Sequence, residues 1–242
     1  KGNTTNIFKI LKKYRKNIGV LFHFGEYARI HQSFKNYNEC FYSNINGTSE
    51  VLQFCLENKI KIIYSATSAS LGNRGKDQNL SPYAFTKAKN LKMITQLKKW
   101  FGLSYEILYF YNVYGNRQIS QGDMATVIGI FENNYKKNKP MPVVKPGTQS
   151  RKFTHIYDTV NGCYLAWKKN KNRQYSLANN KSYRIIDIAR KFSKKIKYLK
   201  PRLGERYKSV VIRKISNVKI HRIECNLSLN EYISNFKSKN EH

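Results

Sequence analysis

Tyr83 and Lys87 lie four residues apart in the stretch LSPYAFTKAKN, residues 80–90. On a helix, this spacing places both side chains on one face, one turn apart. An ordinary tyrosine, with a pKa of about 10, is a poor base at neutral pH, but a neighbouring ammonium favours the phenolate. A phenol beside an ammonium can therefore accept a proton from a substrate hydroxyl and return it.

The same spacing occurs twice more in this chain, which contains 18 tyrosines. The rival pairs are Tyr135/Lys139 and Tyr164/Lys168. Spacing alone does not separate a catalytic pair from an amphipathic helix with a packed tyrosine and a solvated lysine. The position of Tyr83 relative to the predicted sheet must decide between these two interpretations.

The predicted elements alternate between strand and helix. Buried strands are predicted at residues 18–25, 60–68 and 104–115, and helices at 46–59 and 81–102. In the second helix, Ser81 is a suitable N-cap, Pro82 fits the first turn, and Gly102 ends it. This alternation predicts an α/β fold in which a parallel sheet carries helices on both faces.

Polar side chains follow the predicted strands at the edge where open parallel sheets bind ligands. The first strand ends in His23-Phe24-Gly25-Glu26, the second runs into Ser65-Ala66-Thr67-Ser68, and the third carries Asn112 near its end. The helix that bears Tyr83 begins after the second strand, whereas neither rival pair follows a strand of this run. A hydroxyl from Thr67 or Ser68 could orient a substrate oxygen beside Tyr83.

The composition favours a globular protein that binds anions. The formal net charge is +31, and hydrophobic residues make up 40% of the chain. The basic residues are spread along the sequence, although LKKYRKN and WKKNKNR are locally dense. A nucleotide diphosphate suits this charge, and a basic nucleic-acid binder stays an alternative.

The cysteines and the apolar runs indicate a cytoplasmic protein without a structural metal. Cys40, Cys55, Cys163 and Cys225 are widely spaced and form no metal-ligand pattern with histidine. Free thiols are typical of a reducing cytoplasm. No signal peptide is visible, and no apolar run reaches the roughly 20 residues of a membrane-spanning helix.

An ordered set of motifs between about residues 18 and 206 resembles the NAD-dependent epimerase/dehydratase family of extended short-chain dehydrogenases/reductases. The motifs are NINGTSEVL, YSATSASLG, SPYAFTK, YFYNVYGNRQ, GTQSRKFTHIYD and RLGER. They are most similar to the UDP-glucose 4-epimerase-like branch. The resemblance implies a Rossmann-like doubly wound sheet with a smaller α+β substrate domain, divided here as residues 1–120 and 121–242, partly interwoven.

The resemblance also implies roles for individual residues. Tyr83 would be the acid/base, Lys87 would bind the nicotinamide ribose and tune Tyr83, and Thr67 matches the catalytic Ser/Thr. The implied positions that line NAD are Phe24, Gly25, Asn44, Ser65, Tyr83 and Lys87. The implied substrate positions are Thr67, Asn112, Arg151 and Arg202, the last three at the nucleotide diphosphate of a UDP-sugar.

Some departures from the family pattern bear on function. No Gly-rich dinucleotide loop occurs, and the chain is expected to be an N-terminally truncated version of the doubly wound half. Lys152 replaces the usual Asp, Tyr109 an Arg and Leu71 a Tyr. Thr67 is followed by Ser68-Ala69 and not by the Asp-Glu of the dehydratase branch, so epimerisation is favoured over dehydration.

The resulting prediction is a cytoplasmic NAD-dependent nucleotide-sugar epimerase. The resemblance alone implies a homodimer, formed through helices 46–59 and 81–102. Reduction or decarboxylation of a nucleotide sugar stays open. The alternative of a different class is a catalytically inactive binding protein or scaffold. No nucleic acid or membrane partner is expected.

Overall fold

The computed structural model describes residues 2–71, 77–206, 208, 211–215 and 217–240. The chain divides into two compact units, each built from three segments. The first unit comprises Lys1–Tyr109, Cys163–Ser176 and Ile212–Arg222, and the second Phe110–Gly162, Leu177–Val211 and Ile223–His242. The domain boundary near residue 120 stays a prediction.

Helices and strands alternate along most of the described chain. The helices are α1 Ile7–Leu11, α2 Gln32–Lys35, α3 Tyr37–Phe41, α4 Gly47–Glu57, α5 Pro82–Phe101, α6 Val127–Lys136, α7 Ile156–Lys169, α8 Ile185–Phe192 and α9 Leu229–Ser238. The strands are β1 Val20–His23, β2 Lys61–Thr67, β3 Tyr105–Phe110, β4 Asn112–Tyr114, β5 Met141–Val144, β6 Ser150–His155, β7 Gln174–Leu177, β8 Ser182–Arg184, β9 Ile196–Leu199, β10 Lys214–Ile215 and β11 Val218–Arg222. A π-helical turn, Tyr42–Asn46, leads into α4.

The largest sheet has the strand order β1-β2-β3-β7-β11-β10. β1 pairs with β2 in parallel, β11 pairs with β7 in parallel, and β10 adds an antiparallel edge. Every residue of β2 is buried, as expected for a strand covered on both faces. The predicted α/β class with a mostly parallel, Rossmann-like sheet is confirmed.

Helix α5 has the ends that its sequence predicts. The Ser81 hydroxyl accepts a hydrogen bond from the Ala84 amide at 3.1 Å, and Pro82 occupies the first turn. Gly102 adopts φ +73°, a left-handed conformation that glycine reaches without a Cβ clash. Because both ends are fixed, the first turn of α5 has a defined position after β2.

The predicted strand at 104–115 is two strands in the structure. β3 lies in the large sheet, whereas β4 begins at Asn112 and pairs in parallel with β6. Tyr111, between them, is buried. One predicted strand therefore corresponds to strands in two different sheets.

The second unit combines helices with two small sheets, of order β4-β6-β8 and β5-β9. Its core is apolar and aromatic, and includes Phe131, Met141, Phe153 and Phe192. This agrees with the predicted α+β character of this part. In the described part of the chain, no helix has both the length and the apolar character needed to cross a bilayer.

Candidate active site

Tyr83 and Lys87 lie in the first two turns of α5, and both are buried, with 9% and 3% of their surfaces exposed. The rival pairs differ. Lys139 lies beyond the end of α6, so it does not share a helix with Tyr135. Tyr164 is 47% exposed on α7, with the Lys168 ammonium 5.9 Å from its ring centroid. Of the three pairs, Tyr83/Lys87 therefore combines the helical spacing with burial beside the sheet.

The ammonium of Lys87 is held by three groups. It forms an ion pair with Glu26 and donates a hydrogen bond to the backbone carbonyl of Ser65, the fifth residue of β2. It also lies 4.7 Å from the centroid of the Tyr64 ring. The position of Lys87 is therefore fixed by β2 and by the loop after β1.

Glu26 is the centre of this network, and the family resemblance did not identify it. Its Oε1 atom accepts hydrogen bonds from Thr48 at 2.8 Å, Asn90 at 2.8 Å and Tyr64 at 3.1 Å. Its Oε2 atom accepts from Lys87. The carboxylate thus accepts from four donors, and its side chain is only 1% exposed.

His23, the last residue of β1, extends the network. Its Nε2 atom lies 2.8 Å from the Thr48 hydroxyl oxygen, and Thr48 donates its only proton to Glu26. His23 must therefore carry a proton on Nε2 and donate to Thr48. Burial lowers the pKa of His23 from 6.5 to about 4; Lys87 adds to this and Glu26 opposes it. His23 is thus a neutral donor at physiological pH.

Tyr83 packs in a small cluster with Tyr27, Cys40, Ala69 and Ala84. Its backbone N–H donates to the Ser33 hydroxyl at 3.2 Å. Arg29 belongs to the same electrostatic environment. Burial lowers the pKa of the Arg29 guanidinium, and its attraction to Tyr83 and Tyr27 opposes this effect.

Thr67 and Ser65 lie at the carboxyl end of β2, as predicted. The Thr67 hydroxyl accepts from the Ala69 amide at 3.2 Å, which starts a short 3₁₀ turn at Ser68. Because Ala69 packs against Tyr83, this turn brings the Thr67 segment to the Tyr83 cluster. The Ser65 hydroxyl donates to the His23 carbonyl at 3.1 Å.

Two predicted cofactor residues, Phe24 and Gly25, follow the end of β1, and a third, Asn44, supports the loop after it. Asn44, in the π-helical turn, is buried and its amide holds both backbone polar groups of Tyr27, at 2.7 Å and 3.1 Å. It therefore fixes the loop that carries Glu26. Phe24 is 47% exposed, and a Cβ at Gly25 would meet only a Thr4 methyl, at 3.5 Å.

The remaining predicted residues lie in the second unit. Asn112, at the start of β4, donates to the Lys152 carbonyl at 2.8 Å. Arg151, on β6, forms an ion pair with Glu205 at 2.7 Å. Burial lowers the pKa of Arg151, and Glu205 opposes this. Arg202 is exposed, and its backbone carbonyl accepts from the Glu205 amide at 3.3 Å.

The first unit offers a donor set that suits the ribose end of a nicotinamide dinucleotide. An ammonium has three N–H bonds, and the described residues engage two of those of Lys87, through Glu26 and Ser65. The third N–H can donate a hydrogen bond to a ribose hydroxyl. Gly25 is exposed and has no side chain, so a ligand can approach the backbone closely at the same strand end. These residues therefore fit the nicotinamide riboside half of the cofactor.

Comparison with known proteins assigns the family. The profile of the NAD dependent epimerase/dehydratase family matches residues 1–178. The chain is 33% identical over 156 residues to an uncharacterized UDP-glucose epimerase of Bacillus subtilis, YtcB, covering 61% of this chain and 48% of that protein. It is 28% identical over 208 residues to a putative UDP-glucose 4-epimerase of Methanocaldococcus jannaschii, covering 80% and 68%.

A solved UDP-glucose 4-epimerase of Thermotoga maritima, with UDP-glucose, shares the fold. The TM-score is 0.84 at 21% identity, covering 99% of this chain and 84% of that one. The chain spans about half to two thirds of the two curated relatives, at 48% and 68% of their lengths. The fold, the buried Tyr83/Lys87 turn and the profile match agree: the chain belongs to the NAD-dependent epimerase/dehydratase family.

Proposed function

We propose that this protein is an NAD-dependent nucleotide-sugar epimerase that acts at the sugar C4 through transient oxidation. The observation that supports this best is the buried Tyr83/Lys87 turn at the carboxyl end of β2, with a charged partner behind Lys87. Two relatives are named as UDP-glucose epimerases, one of them putative, and they favour a UDP-sugar as the substrate.

Each side chain has a distinct part in the proposed reaction. Tyr83 accepts the proton of the C4 hydroxyl and later returns it to the C4 oxygen of the keto sugar. The Thr67 hydroxyl orients the sugar oxygen, and Lys87 binds the nicotinamide ribose. When bound, NAD would supply a reversible hydride acceptor, so that the C4 hydride leaves one face of the sugar and returns to the other after the keto sugar turns over in the site.

Asn112, Arg151 and Arg202 are proposed to hold the nucleotide diphosphate. Arginine forks match phosphate oxygens, and Arg151 is already oriented by Glu205. Phe24, Gly25, Asn44 and Ser65 are proposed to line the cofactor, and Asn44 also holds the loop that carries Glu26.

Epimerisation is favoured over dehydration because the residues after Thr67 supply no extra acid. Ser68 and Ala69 form a buried 3₁₀ turn where a dehydratase would carry Asp-Glu. We further propose a cytoplasmic homodimer. The cysteines are buried thiols, which suits a reducing compartment, and the exposed Trp100 and Phe101 at the end of α5 suit a subunit contact.

The test is C4 epimerisation of UDP-glucose and UDP-galactose by the full-length protein, followed by NMR of the sugar. Tyr83→Phe should lower turnover by about 100-fold or more, because an acid/base group contributes on that scale. Tyr135→Phe, from a rival pair, should keep near wild-type turnover. Undiminished epimerisation by Tyr83→Phe would refute the assignment, and nucleotide-sugar binding without turnover would favour a scaffold.

A further inference from the structure

The Glu26–Lys87 ion pair is unusually well buried for two charged groups. The side chains are 1% and 4% exposed. Burial disfavours the charged form of a lysine, and a charge taken out of water requires a partner. The other neighbours of the Lys87 ammonium, the Ser65 carbonyl and the Tyr64 ring, are uncharged.

We propose that Glu26 is a positioning residue, which keeps Lys87 protonated and in place so that Lys87 can serve Tyr83 and the cofactor ribose. This inference rests on the proposed function and deepens it. Glu26 acts through Lys87, because its own side chain is enclosed and its hydrogen bonds within the described part of the chain are to protein donors.

Hydrogen bonds from the surrounding elements hold the Glu26 carboxylate in position beside Lys87. Thr48 from α4, Tyr64 from β2 and Asn90 from α5 all donate to its Oε1 atom, so three elements orient one carboxylate. The Asn90 amide also donates to the Asn44 carbonyl at 2.7 Å, within the π-helical turn. The carboxylate therefore cannot follow Lys87 if that side chain moves.

Other titratable groups face the same site and do not replace Glu26. The groups around Tyr83 are Tyr27 and Arg29 from the loop, Cys40 from α3, Tyr64 from β2 and Lys87 from α5. Apart from Lys87, only Arg29 in this set is cationic, and none is acidic near neutral pH. His23 joins through Thr48 as a neutral donor. The negative charge beside Lys87 is thus supplied by Glu26.

The first test uses thermal unfolding of the chain itself, without cofactor, in Glu26→Gln and in Glu26→Gln/Lys87→Met. In the single variant, the buried amine should lose its proton on folding, so the unfolded state binds more protons and stability rises with pH. Between about pH 7 and about pH 10, the Tm of the single variant should rise by about 5 °C or more relative to the Tm of the double variant. A constant difference between the two variants would overturn the proposal.

Should Glu26→Gln not fold, Lys87→Met gives the mirror test. It leaves a buried carboxylate without its cation, so the folded state takes up a proton and stability rises as pH falls. As pH is lowered from about 7 to about 5, the Tm of Lys87→Met should therefore rise relative to the Tm of the double variant. Parallel curves would count against the pairing.

The second test measures kcat/KM for epimerisation by the full-length protein across pH. Glu26→Gln should move the alkaline limb, where a required ammonium loses its proton, to lower pH by about one unit or more. Glu39→Gln, an exposed glutamate on α3, should leave the profile unchanged. An unmoved limb in Glu26→Gln would overturn the role of Glu26. A wild-type protein that epimerises at no pH would instead refute the proposed function, while the unfolding data would still report on the ion pair.

Discussion

His23 should make the protein less stable in acid by a defined amount. Its imidazole is 2% exposed and must be neutral to fit the network, and its pKa falls from 6.5 to about 4 on folding. A folded-state pKa below the unfolded value means that the unfolded chain binds more protons in this window. Stability therefore declines as pH falls from about 6.5 towards 4, and is unaffected by His23 above that range.

The magnitude follows from the size of the shift. At about 1.4 kcal/mol per pH unit, His23 should cost about 3 kcal/mol of the free energy of unfolding by pH 4. For a chain of this length, this corresponds to a drop in Tm of about 6–12 °C. Acidic side chains contribute further losses, so a matched variant is needed to isolate His23.

His23→Gln is that variant, because the Gln amide can donate to Thr48 but does not titrate. Thermal unfolding of both proteins would be followed by circular dichroism between about pH 4 and about pH 7.5. The wild-type Tm should fall more steeply, and the two curves should diverge below about pH 6.5. Curves that stay parallel throughout would refute the buried neutral imidazole.

Two further predictions concern the scaffold. Glu106 is fully buried, pairs with Lys61 at 2.9 Å and accepts three backbone N–H bonds from residues 171–173. Glu106→Gln should lower the free energy of unfolding by roughly 3–5 kcal/mol in urea denaturation, against less than about 0.5 kcal/mol for the exposed Glu57→Gln; equal losses would contradict this. Gly102→Ala should cost about 1–2 kcal/mol by the same assay, since φ is +73° with open space around the site, and a neutral result would contradict the strain.

Local signals in the sequence predicted the frame of the site well. Ser81, Pro82 and Gly102 act within a few residues of the helix ends that they mark, so α5 could be bounded without any tertiary information. The same holds for β2, whose apolar run ends in small polar residues. Once both elements are placed, Tyr83 and Lys87 must lie near the carboxyl end of the sheet.

Glu26 was expected at the end of the first predicted strand, but its role could not be predicted because its partners are distant in sequence. It reaches Lys87 and Asn90 across 61 and 64 residues, and the family motifs carried no expectation for its position. The other buried ion pair left a clearer signal in the sequence. Glu106 and Lys61 are charged residues inside apolar strands, where a charge requires a partner, and they pair with each other.

The division of residues 104–115 into β3 and β4 also lay beyond local patterns. The run carries no turn signal at Tyr111, and pairing with different sheets is what separates the two strands. Asn112 accordingly begins β4, where it contacts the Lys152 carbonyl, and does not lie near the end of one long strand.

The fate of a C4 deuterium during epimerisation tests the central proposal most directly. The full-length protein would be given UDP-glucose deuterated at the sugar C4, in ordinary water, and the UDP-galactose formed would be analysed by NMR and mass spectrometry. Transient oxidation with return of the same hydride predicts that the deuterium is retained at C4, and that Tyr83→Phe forms almost no product. Loss of the deuterium to solvent, or product formation undiminished in Tyr83→Phe, would contradict the account.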